Sequence, residues 1–206
     1  MTEHNEDPVA DIAWMRRLAE EGAQAPMQGA PILMAAGLTF GTGSLAFWAE
    51  LNGMFEVPGI MGVSWLAATA LFLAILTFNL TGSRRRTGVL TAANRAIGTV
   101  WAAVGMGIFA LFVALIINDY RMGASQGFTG FWLVPSIVMV FYGLGWAVTG
   151  AMLRSRPLWL LAAASFVAAP LMALFTGQAE QYLAYAAALF LLMALPGWML
   201  MRQARA

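Results

Sequence analysis

Six long apolar stretches, each without a charged residue near its middle, constrain this chain more than any other feature of its sequence. They cover about residues 31–49, 58–80, 96–118, 131–153, 157–175 and 182–201. A helix rises 1.5 Å per residue, so about 20 residues cross the roughly 30 Å hydrocarbon core of a bilayer. The stretches are continuous rather than alternating, which is typical of helices and not of barrel strands. The sequence therefore predicts an all-α bundle of six transmembrane spans.

The composition leaves lipid as the solvent for much of this chain. Apolar residues make up 61% of it and charged residues 10%, whereas an ordinary soluble domain is roughly a quarter charged. A water-soluble monomer of this length cannot hide so much apolar surface, because a folded protein still exposes a large share of its area. The lipid bilayer is therefore the first predicted partner, and a soluble fold is excluded.

Arginine positions predict the orientation of the spans. The chain has eleven arginines and no lysine, a bias typical of a GC-rich genome. A six-span arrangement places all but one of them on the same side, namely Arg16, Arg17, Arg84, Arg85, Arg86, Arg95, Arg154, Arg156, Arg202 and Arg205. Only Arg121 falls on the other side. Because positive residues flank the cytoplasmic ends of spans, we predict a multi-pass protein of the bacterial inner membrane with both termini in the cytoplasm.

Residues 1–29 are predicted to form a cytoplasmic tail ahead of a transmembrane domain that covers residues 30–203. An amphipathic helix is expected over about residues 8–21. Asp7 can cap it, Pro8 suits the first helical position, and Gly22 provides a stop. Its apolar face comprises Ile12, Trp14, Met15 and Leu18.

This tail helix has two interpretations. It can lie on the bilayer or against the cytoplasmic loops, or its apolar face can dock a soluble cytoplasmic protein. Six acidic residues against two arginines in the tail weaken attraction to an anionic leaflet. That charge balance moves some weight to docking without removing the first interpretation.

Glycine and alanine recur at four-residue spacing within the spans. Three such patterns are Gly37-x-x-x-Gly41, Ala103-x-x-x-Gly107 and Gly143-x-x-x-Ala147. Small residues at this spacing let helix backbones approach closely in lipid. They predict close packing inside the bundle, with a homo-oligomer interface as the alternative.

Aromatic residues near the span ends are interpreted as interface anchors, because amphipathic rings favour the headgroup level. Those near the predicted outer ends are Trp48, Tyr120, Phe128, Phe131, Trp132 and Tyr182, and those near the inner ends are Trp101, Trp159 and Trp198. A ligand-stacking role is the alternative.

Ionisable residues occur only at the edges of the spans, and three of them suggest a polar site. Glu50, Asp119 and Arg121 share the predicted periplasmic face. They are interpreted either as a solvated loop surface or as a shallow polar pocket. In such a pocket Arg121 would pair with a carboxylate and attract chloride or a small carboxylate. Neutral polar residues at the same face are Asn118, Tyr120, Gln178 and Gln181.

Familiar catalytic and cofactor chemistry finds no support in this sequence. There is no cysteine, and the single histidine, His4, lies in the polar tail. Thiolate nucleophiles, paired haem ligands and histidine-based zinc sites are therefore disfavoured. Three adjacent arginines at residues 84–86 do not make a nucleic-acid site. We expect no cofactor, no metal, no nucleic-acid partner and no enzymatic activity.

Two functions remain from different classes. The first is a non-enzymatic membrane protein that acts through protein contacts, as a sensor, regulator or membrane partner. The alternative is a small transporter or channel for a neutral or weakly polar solute. A weak repeat favours the alternative, because a 68-residue shift aligns Gly37 with Gly105 and Gly62 with Gly130. Prolines within the spans, Pro170 and Pro196, also favour it.

Overall fold

A computed structural model describes residues 12–14, 29–55, 62–83, 91–122 and 129–203 of the chain. Every regular element in these ranges is helical. The six long helices are α1 (Ala30–Leu51), α2 (Val63–Ser83), α3 (Ala92–Met122), α4 (Val134–Met152), α5 (Arg156–Ala173) and α6 (Glu180–Gln203). A 3-10 turn, Thr129–Leu133, leads into α4. Residues 12–14 are also helical.

Each of the six helices is long and apolar enough to cross a membrane, which is the architecture of a multi-pass membrane protein. The predicted all-helical fold with six apolar spans is confirmed. The third helix runs four residues further at each end than its predicted span, because polar residues there, such as Arg95 and Arg121, are compatible with a helix. The orientation and the tail helix over residues 8–21 stay predictions.

Helices α1, α3 and α5 end where α2, α4 and α6 begin, as contacts of Glu50 with Gly62, Leu115 with Gly130 and Met172 with Gln181 show, so the bundle has two ends. We call the end where α1, α3 and α5 terminate the Glu50 end, and the opposite end the Arg154 end. Helix α1 packs against both α2 and α6, whereas α4 packs against α5 and α3. Large buried side chains fill the space between these groups, chiefly Met139, Trp146, Leu189 and Met193.

Burial differs sharply among the helices. In their most apolar 18-residue windows, α1, α4 and α6 each bury 44% of the residues, whereas α2 buries 11% and α3 buries 6%. The core therefore lies among α1, α4, α5 and α6. Helices α2 and α3 flank it and expose most of their apolar side chains.

Glycines allow α1 and α6 to touch backbone to backbone. A Cβ on Gly37 would collide with the Ala194 backbone, and one on Gly197 would lie 2.6 Å from the Met34 nitrogen. A Cβ on Gly41 would lie 2.6 Å from the Phe190 ring. The first of the three small-residue patterns thus packs inside the bundle, where only hydrogen atoms fit between the helices.

The two other patterns also contact neighbouring helices through a glycine. The Phe141 ring of α4 packs over Gly107 of α3, and the Phe166 ring of α5 packs over Gly143 of α4. Aromatic side chains occupy the space that a larger residue would need. These contacts support the interpretation of the patterns as packing within the bundle.

Candidate functional site

The three residues of the predicted polar pocket lie in different settings. The Glu50 carboxylate accepts hydrogen bonds from the Gly62 backbone nitrogen (2.6 Å) and from the Ser64 hydroxyl (3.1 Å). It therefore caps the first turn of α2 from the end of α1, satisfying donors that a helix N-terminus leaves open. This contact explains a charged residue at the edge of an apolar span.

Asp119 and Arg121 lie in the last turn of α3, which packs mainly against α4. Arg121 is exposed and Asp119 half-buried. None of the residues that the structure describes forms a salt bridge, so Arg121 is not paired with Glu50 or Asp119. A pocket that takes chloride or a small carboxylate stays a prediction.

Part of the predicted docking face is described. Ile12 and Trp14 lie in a helical segment and are 62% and 64% exposed. Met15 and Leu18, the other two members of the face, lie outside the described residues. The two apolar side chains that can be assessed are thus open to contact.

The most unusual polar side chain in the described part of the chain is Gln181, in the first turn of α6. It is fully buried. Its Nε2 donates to the Trp132 carbonyl (2.9 Å) and to the Met172 carbonyl (3.1 Å). Trp132 precedes α4 and Met172 lies near the end of α5, so one amide joins the ends of three helices. We call Gln181, Trp132, Met172, Ser136 and Tyr182 the Gln181 junction.

Two oxygens of this junction have no hydrogen-bond partner. Gln181 Oε1 and Ser136 Oγ are the only buried side-chain nitrogen or oxygen atoms without one among the described residues. Ser136 follows Trp132 by four residues, so its hydroxyl lies about one helical turn from a residue that Gln181 contacts. An unpaired buried polar group costs about 1–3 kcal/mol, and such groups are rare in folded proteins.

Aromatic rings surround Tyr182 beside this amide. Its ring lies 4.7 Å from Phe47 in an edge-to-face arrangement, 5.8 Å from Trp132 and 6.2 Å from Trp65. The Ser44 hydroxyl donates to the Tyr182 carbonyl (2.7 Å). These contacts fix the start of α6 against α1, α2 and the turn that precedes α4.

A second set of contacts fixes the Arg154 half of the bundle. Trp101 Nε1 of α3 donates to the Thr149 hydroxyl of α4 (3.1 Å), which in turn donates to the Gly145 carbonyl (2.7 Å). The Trp101 ring also packs edge-on against Trp146, with 5.1 Å between centroids. Because the hydroxyl is fully buried, this bond forms in an apolar surrounding, where a hydrogen bond is strong.

Helix α6 contains a π-helical segment, Phe190–Ala194, which ends two residues before Pro196. Proline has no N–H, so it cannot donate to the carbonyl four residues earlier, that of Leu192. Trp146 Nε1 of α4 donates to this carbonyl at 2.9 Å. A backbone defect that proline creates in one helix is thus used to bind another helix.

The chemistry available at the Gln181 junction is neutral. It consists of one carboxamide, one serine hydroxyl, backbone carbonyls and aromatic rings. Within the described ranges no group of three or more His, Cys, Asp or Glu side chains could hold a metal ion. The arrangement suits either helix-to-helix bonding or recognition of an uncharged molecule that donates hydrogen bonds.

Sequence reasoning missed this junction. It placed Gln181 on an outer surface and treated Tyr182 and Trp132 as interface anchors, but Gln181 and Tyr182 are buried. A helical projection offers one signal, because Gln181 shares a face with Tyr185 and Ala188, both buried as well. The acceptors on α4 and α5 are distant in sequence and give no local signal.

No protein-family model matches this chain, and neither a curated protein nor a solved structure matches it.

Proposed function

We propose that this protein is a non-enzymatic membrane protein that acts through contacts with other proteins, as a sensor, regulator or membrane partner. The observation that carries the proposal is the exposure of Ile12 and Trp14. These two large apolar side chains are members of the apolar face predicted ahead of the spans, and their exposure leaves them open to a soluble partner.

The surface of the spans supports the same proposal. Helices α2 and α3 bury little of themselves in the bundle, and Gly98 and Gly105 of α3 have open space where a Cβ would sit. Small residues on an outward face permit close approach of another helix. The interior, in contrast, is tied together by neutral hydrogen bonds and holds no acid–base pair in the described ranges.

Affinity purification in mild detergent tests the proposal, with a tag at the C-terminus. We expect a reproducible cytoplasmic protein to co-purify with the wild type and to be lost when Ile12 and Trp14 are both replaced by Asp. Ala13→Asp, at the exposed position between them, adds charge without removing an apolar side chain and is the matched control. Partner recovery that survives both Ile12→Asp/Trp14→Asp and deletion of residues 1–26 would refute docking at this face.

The proposed location is the bacterial inner membrane with both termini in the cytoplasm. The described arginines support this orientation, because Arg95, Arg154, Arg156 and Arg202 lie at one end of the bundle and only Arg121 lies at the other. The chain has no cysteine, so in a single-cysteine variant the introduced thiol is the only one in the protein that a maleimide can label.

Labelling of intact cells with a membrane-impermeant maleimide tests this orientation. We expect Asn52→Cys, at the Glu50 end, to be labelled and Gln203→Cys, at the Arg154 end, to be protected until the cells are opened. Both native residues are exposed in the structure. The opposite pattern would invert the proposed topology.

A transporter or channel for a neutral or weakly polar solute is the second candidate. The unpaired Gln181 Oε1 and Ser136 Oγ favour it, since a carboxamide and a hydroxyl beside aromatic rings are groups that recognise uncharged polar molecules. Proteoliposomes should then show flux of a neutral solute that Gln181→Leu abolishes. Absence of flux across a broad panel of neutral solutes would exclude this function.

A further inference from the structure

In the described part of the bundle, all acidic residues lie at one end and most arginines lie at the other. The acidic residues of the described ranges, Glu50, Asp119 and Glu180, all lie at the Glu50 end. The Arg154 end has four arginines in these ranges and no acidic residue. Since no salt bridge joins any described residues, the positive charge at the Arg154 end is not neutralised within this part of the protein.

Two of these arginines are held close together by a short turn. Helix α4 ends at Met152 and α5 begins at Arg156. The Ser155 nitrogen donates to the Gly150 carbonyl (3.0 Å), and Arg154 has φ +48°, the left-handed conformation that glycine usually supplies at a helix end. The turn is therefore defined by its backbone, and Arg154 and Arg156 are both exposed on it.

The start of α5 adds positive potential beside these guanidiniums. No side chain caps this helix N-terminus, and its first turn contains no acidic residue. The positive end of a helix dipole normally favours acidic neighbours, but here its neighbours are Arg154 and Arg156. An anion bound at this turn would relieve the repulsion.

Exposed tryptophans indicate the depth at which these arginines lie. Trp159, in the first turn of α5, is 51% exposed. At the end of α6, the Arg202 guanidinium stacks 4.6 Å from the ring centroid of Trp198, which is also exposed. Tryptophan favours the boundary between hydrocarbon and headgroups, so a bilayer placed with these rings at its boundary has the arginines at the level of its phosphates.

We propose that the turn between α4 and α5 binds the headgroup of an anionic phospholipid, with Arg154 and Arg156 contacting the phosphate and Trp159 packing against the glycerol region. Charge complementarity selects this occupant, because a zwitterionic headgroup brings its own positive group to the site. Each arginine near a charged surface contributes roughly fivefold in affinity. Loss of both therefore weakens binding by about 25-fold.

Thermal unfolding of the full-length protein in detergent tests this proposal. Phosphatidylglycerol should raise the unfolding temperature more than phosphatidylcholine with the same acyl chains. The variant Arg154→Gln/Arg156→Gln should need at least tenfold more phosphatidylglycerol for the same rise, whereas Arg154→Lys/Arg156→Lys should retain most of the effect. Arg121→Gln, which removes the arginine at the Glu50 end, is the matched control and should behave as the wild type.

Three results would overturn the proposal. They are equal stabilisation by the two lipids, equal loss of the phosphatidylglycerol effect in Arg121→Gln, and an equal effect of inorganic phosphate, which would identify a free anion as the occupant. If Arg154→Gln/Arg156→Gln does not fold, the test is the salt dependence of the stabilisation that phosphatidylglycerol gives the wild-type protein. The advantage of phosphatidylglycerol should fall as salt rises, and an advantage independent of salt would contradict a charge-based site.

Discussion

Helices α3 and α6 are both apolar enough to cross a membrane, yet they are used in opposite ways. Helix α3 is the most apolar of the six by mean hydropathy and the least buried, whereas α6 is less apolar and among the most buried. In water the most apolar helix would lie in the core. In lipid, apolar side chains gain little from leaving the solvent, so close packing and buried hydrogen bonds decide which helices form the core.

The residues that distinguish the two helices are small or polar. Helix α6 contributes Gly197 to a backbone contact, and Gln181 to hydrogen bonds with α5 and with the turn before α4. Helix α3 contributes one hydrogen bond, donated by Trp101 to Thr149 of α4. A Cβ added to its Gly105 would meet no atom within 4 Å. Apolarity therefore predicts that a helix spans the membrane, whereas its place in the bundle depends on which of its small and polar residues meet a neighbouring helix.

The largest expected effect concerns the contact of α1 with α6. Gly37→Leu places a side chain where the Ala194 backbone lies, so the helices must separate, at a cost of about 3 kcal/mol or more. Gly105→Leu, on the open side of α3, should change stability by less than about 0.5 kcal/mol. Chemical unfolding in mixed micelles measures both, and similar losses would show that α3 has a packed partner.

A smaller loss is expected at the Gln181 junction. Gln181→Leu leaves the Trp132 and Met172 carbonyls without their side-chain donor, at a cost of about 1–2 kcal/mol, partly offset because the unpaired Oε1 is also removed. The matched control is Asn79→Leu, since Asn79 of α2 bonds only to the Ile75 carbonyl of its own helix. Equal stability of Gln181→Leu and wild type would mean that this amide does not hold the helices together.

The smallest of the three effects tests the bond that joins α3 to α4. Trp101→Phe removes the donor to Thr149 and should lower the free energy of unfolding by about 1 kcal/mol. Trp159→Phe, at an exposed ring on α5, should be nearly neutral. If the two variants unfold alike, the α3–α4 bond contributes nothing measurable.

Much of the fold could be predicted from the sequence, because crossing a membrane is a local property of about 20 residues. Length and apolarity located all six helices. The polar ends of α3 were missed, since hydropathy marks the part of a helix that lies in hydrocarbon and not the helix itself. Arg121 is helical although the apolar stretch has already ended.

The candidate site was less predictable, because its geometry depends on residues far apart in sequence. Glu50 was recognised as an edge charge, but its partners in α2 depend on how two helices meet. The 68-residue repeat shows the same limit. It aligns Gly37 with Gly105, yet Gly37 touches the backbone of another helix and Gly105 faces open space. Identical residues at aligned positions therefore do not have the same surroundings.

The π-helical segment of α6 sets the phase between the two halves of that helix. Successive residues of an α-helix are about 100° apart around its axis, and a π-helical turn holds one residue more than an α-helical turn. Deleting one residue between Phe190 and Ala194 would restore regular α-helix and leave everything beyond it facing as before, because the wide turn already absorbs that residue. Winding the unshortened segment as regular α-helix would instead rotate everything beyond it by about 100°. Gly197 would then turn away from Met34, and a side chain of ordinary size would replace it at the contact with α1. The wide turn thus accommodates one extra residue and lets both halves of one helix face the same neighbour.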